Sequence, residues 1–136
     1  MTAPAWAAPY VGIPFRDRGR DRSGLDCWGL VVLVARERYR VELPDLSGEY
    51  AGTRDRVGIP AAVESQLPAW DRIPRGSEAE GDVVLFREAG RPGHCGIVLG
   101  GGLMLHARAG TGSCVEGYGR PAWSGRVEGF YRRRGA

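Results

Sequence analysis

From Gly81 onward the chain is a succession of short apolar runs separated by glycine-bearing turns. The runs are Val83-Val84-Leu85-Phe86, Cys95-Gly96-Ile97-Val98-Leu99, Leu103-Met104-Leu105-His106-Ala107, Ser113 to Tyr118 and Val127 to Arg132. Each is too short for a buried helix and is flanked by turn residues, which predicts short strands in an antiparallel meander. The first half of the chain reads differently. Ser23, with Asp26 three residues on, fits a helix N-cap before an apolar run, and Leu30, Val31, Val34 and Ala35 suit one buried face opposite Arg36, Arg38 and Arg40. That helix is expected to end near Tyr39, and a second to span about Val57 to Leu67. Helices first and strands afterwards predict an α+β domain.

The remaining stretches have lesser roles. Residues 1–15, with Trp6, Tyr10 and Phe15, suit an arm or short helix docked on the body, and 16–24 a polar loop. Residues 41–55 read as an ordered loop and Trp70 to Glu80 as a connector. A length of 136 residues fits one domain, 1–136, with an ordinary core.

Composition excludes several classes. No apolar run reaches membrane-spanning length, and no charged stretch followed by an apolar one marks an export signal. Three cysteines are too few for a disulfide framework and point to synthesis in a reducing compartment. The net charge of +3 comes from arginine alone, with no lysine. Arg16, Arg18, Arg20 and Arg22 alternate with Asp17 and Asp21, so only Arg132-Arg133-Arg134 is a pure basic run. Direct nucleic-acid binding wants a broader patch with exposed aromatics. Trp6, Trp123 and the arginine run remain candidate protein contacts.

Chemistry gathers on Cys27 and the chain's two histidines. A cysteine in the first turn of a helix sits among unpaired N–H groups at the positive end of the dipole, which favours thiolate. His94 opens one predicted strand and His106 ends the next. With Leu99-Gly100-Gly101 as the turn they lie opposite one another, and with Gly100-Gly101-Gly102 they lie diagonally on one face. A two-residue turn separates them. On a shared face, Cys27 is the expected nucleophile, His94 its base, and His106 the group that orients His94. Cys95, of opposite parity to His94, is expected in the core.

At these residues the chain resembles the NlpC family of cell-wall cysteine peptidases, a papain-like group. The matching motifs are Asp26-Cys27-Trp28-Gly29-Leu30-Val31, Gly81-Asp82-Val83-Val84-Leu85-Phe86, His94-Cys95-Gly96-Ile97-Val98, and Leu105-His106-Ala107. The resemblance implies N-terminal helices packed on a five- to six-stranded antiparallel sheet. It also implies cleavage of an amide in the peptidoglycan stem peptide, between D-isoglutamyl and the diamino acid, without metal or cofactor. Ile13 to Asp21, running into the cysteine motif, resembles the peptidases of phage and gene transfer agent tails. The partners implied are stem peptide and other tail-tip or hub proteins. The location implied is synthesis in the bacterial cytoplasm without a signal peptide, incorporation into the tail, and action in the recipient's periplasm or cell wall.

Asp26, Arg18, Arg22, Trp28 and Phe15 are the expected substrate-binding residues, the arginines as partners of stem carboxylates. Phe15 stands where many members carry a tyrosine whose hydroxyl serves the oxyanion. The donors left are the Cys27 N–H and whatever Tyr10 reaches, and losing one donor costs on the order of 100-fold in rate. Three rival readings follow. The chain could be a structural plug of the tail tip that keeps the fold. It could be a papain-like amidase or acyltransferase. Or it could hold zinc on Cys27, His94, His106 and Cys114.

Overall fold

The computed structural model describes residues 2–135; Met1 and Ala136, the two ends of the expected domain span, lie outside them. Helix α1 (Cys27–Arg38) is capped by Asp26, whose carboxylate accepts the Gly29 N–H at 2.8 Å while its carbonyl accepts that of Leu30. This corrects the expectation for Ser23. Strands β1 (Arg20–Asp21) and β2 (Gly24–Leu25) form a tight hairpin around it, where its N–H and hydroxyl donate to Asp21. The chain is therefore still extended until Asp26. Gly29 is required where α1 meets the preceding loop, because a Cβ there would lie 2.1 Å from the Gly19 carbonyl oxygen.

The expected one-sided helix is also corrected. Gly29 through Val34 are all buried, because α1 has the sheet on one side and the N-terminal segment on the other. That segment supplies Ala7 and Tyr10 from a 3-10 helix (Ala5–Tyr10), then Ile13 and Leu25. Helix α2 (Gly58–Gln66) follows the irregular 41–55 stretch.

Six strands form one antiparallel sheet: β3 (Trp70–Ile73), β4 (Val83–Glu88), β5 (Arg91–Gly100), β6 (Leu103–Arg108), β7 (Gly112–Gly117) and β8 (Val127–Arg133). Their spatial order is β3-β8-β4-β5-β6-β7. Strands β4 to β7 are the expected meander, but β8 returns to the far side of β4 and carries β3 on its outer edge. Trp70 to Ile73 is thus an edge strand rather than a connector, since its hydrogen-bond partners come from β8, distant in sequence.

Strand alternation builds a core on each face. Val83, Leu85, Cys95, Ile97, Leu105 and Ala107 pack with α1, whereas Val84, Phe86, Val98, Met104 and Phe130 pack with Trp123 of the short helix α3 (Pro121–Ser124). Trp123 is 3% exposed and so is not a surface contact; Trp6 is half-buried, edge-on to Tyr10 and Tyr39. Of the terminal arginines, Arg132 and Arg133 lie in β8 and Arg134 follows it, each held by the body rather than in a free tail. Arg132 pairs with buried Asp82 at 2.7 and 2.9 Å, Arg134 with Asp71 at 3.0 Å, and Arg133 covers Trp70. No helix among the described residues is long and apolar enough to cross a membrane.

Candidate active site

The two histidines meet because of a bulge. Gly100 pairs with Leu103, leaving a two-residue Gly101-Gly102 turn, the geometry that by itself puts His94 and His106 on opposite faces. An irregularity at Leu99 restores the parity: beyond it Val98 pairs with Met104 and Ile97 with Leu105, the register of a turn centred on Gly101. The next residue, Gly96, then faces His106. A Cβ on Gly96 would sit 3.1 Å from that of His106, so the glycine leaves room for the ring.

His94 Nε2 lies 2.8 Å from His106 Nδ1, and His106 Nε2 lies 2.8 Å from Glu116 Oε1. Trp123 stacks on His94, with centroids 5.2 Å apart, and meets His106 edge-on. Burial, then the positive charge of His94, push the His106 pKa down to about 4 against the upward pull of Glu116. The ring is therefore neutral near pH 7. It donates from Nε2 to the Glu116 carboxylate, which leaves Nδ1 to accept from His94.

This depression has a consequence for stability. Unfolded, the His106 ring takes a proton below about pH 6.5; folded, only below about 4. Between these values the unfolded chain holds more protons, so stability falls as pH drops through the window, by roughly 2–3 kcal/mol at pH 4.5. Urea unfolding at pH 7 and 4.5 is expected to show that loss in the wild type, with a correspondingly smaller loss in His106→Asn. Equal losses in both would refute the assignment.

Cys27 is the first residue of α1, where the helix leaves N–H groups without internal partners. Cys27 and His94 line one cleft of about 320 Å³, together with Phe15, Trp28, Tyr50 and Trp70. The histidines project from the sheet face opposite α1, and an extra residue in β5, Gly93, sits beside His94 where the strand reaches the cleft. The Cys27 thiol is held well below its ordinary pKa, first by a hydrogen bond from the Cys95 thiol and then by the hydrogen bond and charge of His94, against the opposing effect of burial. Because Nε2 of His94 is taken by His106, Nδ1 is the nitrogen left for Cys27. Cys95 lies in the α1-side core as its parity requires.

Asp26 is the hub beneath the cysteine. It is 4% exposed and accepts from Gly29 N–H, Arg18 N–H, the Arg20 guanidinium at 2.8 Å and the Tyr50 hydroxyl. Arg20 also donates to Tyr50 at 2.7 Å. Burial, followed by the Cys27 charge, raises the Asp26 pKa, and its hydrogen-bond partners pull the other way.

The expected binding residues divide. Phe15, Asp26 and Trp28 line the cleft; Arg18 and Arg22 do not. Arg22 is held by Glu37 through two bonds of 2.7 and 2.8 Å, and only the backbone of Arg18 contributes, to Asp26. Tyr10 cannot serve an oxyanion in the cleft, since its hydroxyl donates to Glu37 at 2.8 Å. The cleft's one arginine among the described residues is Arg108. The four supposed zinc ligands do not converge; the ligand atoms that do are those of His106, Cys114 and Glu116. Sequence reasoning missed Glu116, Tyr50, Arg20 and Trp123. Glu116 alone carried a signal, being two residues beyond the Cys114 that faces His106 across β6 and β7.

The chain belongs to the NlpC/P60 family, matched over residues 12–132. It is 28% identical over 119 residues to the murein DD-endopeptidase MepS/murein LD-carboxypeptidase of Escherichia coli K12, covering 88% of this chain and 55% of that one. It is 29% identical over 99 residues to tail tip assembly protein K of Escherichia phage N15, covering 72% and 41%. The chain thus spans about half the length of the curated relatives it matches. Among solved structures, an NLP/P60 protein from Staphylococcus aureus superposes with a TM-score of 0.68 at 23% identity, over 93% of this chain and 38% of that one. The NlpC/P60 domain of peptidoglycan hydrolase SagA superposes with a TM-score of 0.60 at 24% identity, over 93% and 92%. These likenesses establish the NlpC/P60 α+β fold of helices on an antiparallel sheet.

Proposed function

We propose that the protein is a cysteine peptidase that opens an amide bond in the peptidoglycan stem, between D-isoglutamyl and the diamino acid. The observation that carries this reading is the line of groups from Cys27 through His94 and His106 to Glu116, set at an apolar cleft. The Cys27 sulfur attacks the carbonyl carbon, and the N–H of Cys27 receives the developing oxyanion. His94 gives its Nδ1 proton to the leaving amine as the C–N bond breaks. Water then attacks the thioester, His94 takes its proton, and the carboxylate departs as the thiol is restored. His106 positions His94, and Glu116 fixes the tautomer of His106.

The names of the curated relatives, murein endopeptidases and a tail tip assembly protein, support a murein substrate and delivery by a phage-like tail. In that setting the protein joins tail-tip and hub proteins, as in a phage or gene transfer agent, and acts on the recipient's wall. Phe15, which brings no hydroxyl to the cleft, favours the structural plug as the second reading.

Purified sacculi incubated with native or iodoacetamide-treated protein test the choice, with mass spectrometry of the released muropeptides. A new amine and carboxylate within the stem, formed only by the untreated protein, supports the peptidase and identifies the bond. Cleavage at the sugar–peptide amide makes it an amidase, and no release from folded protein favours the plug.

Arg108 replaces Arg18 and Arg22 as the partner of a stem carboxylate. It lines the cleft, lies 3.8 Å from Glu116 and covers the Trp123 ring, with its side chain half exposed. Arg108→Gln is expected to raise KM by about 10-fold or more, the worth of one charged hydrogen bond, with kcat nearly unchanged. A fall confined to kcat would place Arg108 in the chemistry instead.

A further inference from the structure

His106, Cys114 and Glu116 form a triangle on the outer face of the sheet. His106 Nε2 lies 2.8 Å from Glu116 Oε1 and 3.6 Å from Cys114 Sγ, and that sulfur lies 3.7 Å from the same carboxylate oxygen. Strand register builds the triangle: His106 and Cys114 are directly paired across β6 and β7, and Glu116 is the next residue of β7 on that face. Tetrahedral zinc, with a bond of about 2.3 Å to sulfur and about 2.0–2.1 Å to nitrogen or oxygen, separates its sulfur ligand from the others by roughly 3.5 Å. Both sulfur edges are already near that length. The nitrogen–oxygen edge needs roughly 3.3 Å, a retreat of about half an ångström by the Glu116 carboxylate.

We propose that His106 Nε2, Cys114 Sγ and Glu116 Oε1 bind a zinc ion, with the fourth position open to solvent. The supporting contacts of such a site are in place. The second ring nitrogen of His106 is held by His94 at 2.8 Å, and the second oxygen of Glu116 lies 3.4 Å from the Trp123 indole N–H. One imidazole, one thiolate and one carboxylate suit zinc and not magnesium or calcium, which take oxygen ligands. Arg108 is the neighbouring cation, 3.8 Å from Glu116; its side chain, 47% exposed, is free to turn outward. Binding expels the Cys114 thiol proton and the Nε2 proton of His106 to solvent, while Nδ1 takes the proton that His94 Nε2 shares with it, so the ring stays neutral with its proton on Nδ1. The bond to His94 then reverses, with His106 donating, so zinc is expected to slow hydrolysis. That consequence rests on the peptidase reading; the binding does not.

Cobalt, a spectroscopic stand-in for zinc, tests the site without turnover. The reduced wild type and Cys27→Ala are each expected to take up one Co2+ with a thiolate-to-cobalt charge-transfer band, displaced by Zn2+. Cys114→Ser, which keeps the side-chain shape, is expected to lack the band and to bind more than about 10-fold more weakly, and Glu116→Gln to keep the band at reduced affinity. Cys114→Ala serves as a second removal of the sulfur. No band in the wild type would overturn the proposal, as would a band lost with Cys27 and kept without Cys114. Hydrolysis of sacculi, measured separately, decides the peptidase reading whatever the cobalt spectrum shows.

Discussion

Cys27→Ala is expected to reduce release of stem-peptide fragments by at least about 10³-fold while leaving the fold intact, since removal of the nucleophile from such a set leaves only binding and oxyanion contacts. The structure predicts little cost in stability. Position 27 is the first of α1, so no side-chain hydrogen bond of the cap depends on it; the cap belongs to Asp26. Alanine is also the best helix former. His94→Ala is expected to lose a similar factor, and the double variant hardly more, because sulfur and imidazole act as one unit. Each step is measured by muropeptide release beside a urea unfolding curve. Retention of a tenth of wild-type activity by Cys27→Ala would exclude the nucleophile assignment.

A companion measurement follows the thiol. With its pKa held well below the ordinary value, Cys27 should react with iodoacetamide at pH values where Cys114, raised by burial and by Glu116, does not. Cys95→Ala is expected to move the Cys27 alkylation profile to higher pH, because the Cys95 hydrogen bond contributes most to the lowering.

The strands and the chemistry were legible to different depths. Short apolar runs between glycines reveal β4 to β8 because period and punctuation are local properties. β3 escapes because Trp70 to Ile73 has its partners on β8, and nothing in four residues announces a distant ladder. The parity argument for His94 and His106 reaches the right face by a route it did not include, a two-residue turn compensated by a bulge. Carried one strand further, the same argument finds Glu116, as the pair His106 and Cys114 is centred on Gly110. Tyr50 and Arg20 carry no such signal. Tyr50 comes from an irregular loop, and Arg20 is one of several arginines in a mixed-charge stretch whose alternation suggests a solvated loop. Trp123 misleads for a related reason: a lone tryptophan in a glycine-rich segment has no period from which its burial follows.

The largest expected loss of stability belongs to Asp26→Ala, about 3–5 kcal/mol, much of the margin of a domain this size. Three costs meet at that carboxylate. The cap of α1 is lost, worth about 1 kcal/mol. The Tyr50 hydroxyl and the Arg18 N–H each lose an acceptor. Above all, Arg20 is stranded: its side chain is only 13% exposed, and its 2.8 Å bond to Asp26 is its most buried charge pairing. A largely buried cation left with only the exposed Asp45 carboxylate, at 3.6 Å, accounts for most of the loss. Asp26→Asn keeps an effective cap and an acceptor for Tyr50, so it should lose roughly half as much. The pair Asp26→Ala and Arg20→Ala together should cost less than the sum of the two single changes, since no charge is then orphaned. Urea midpoints at constant slope measure each value. If Asp26→Asn costs as much as Asp26→Ala, the ion pair alone sets the loss; if the double variant is additive, Asp26 stabilises the domain through its cap and Arg20 is incidental.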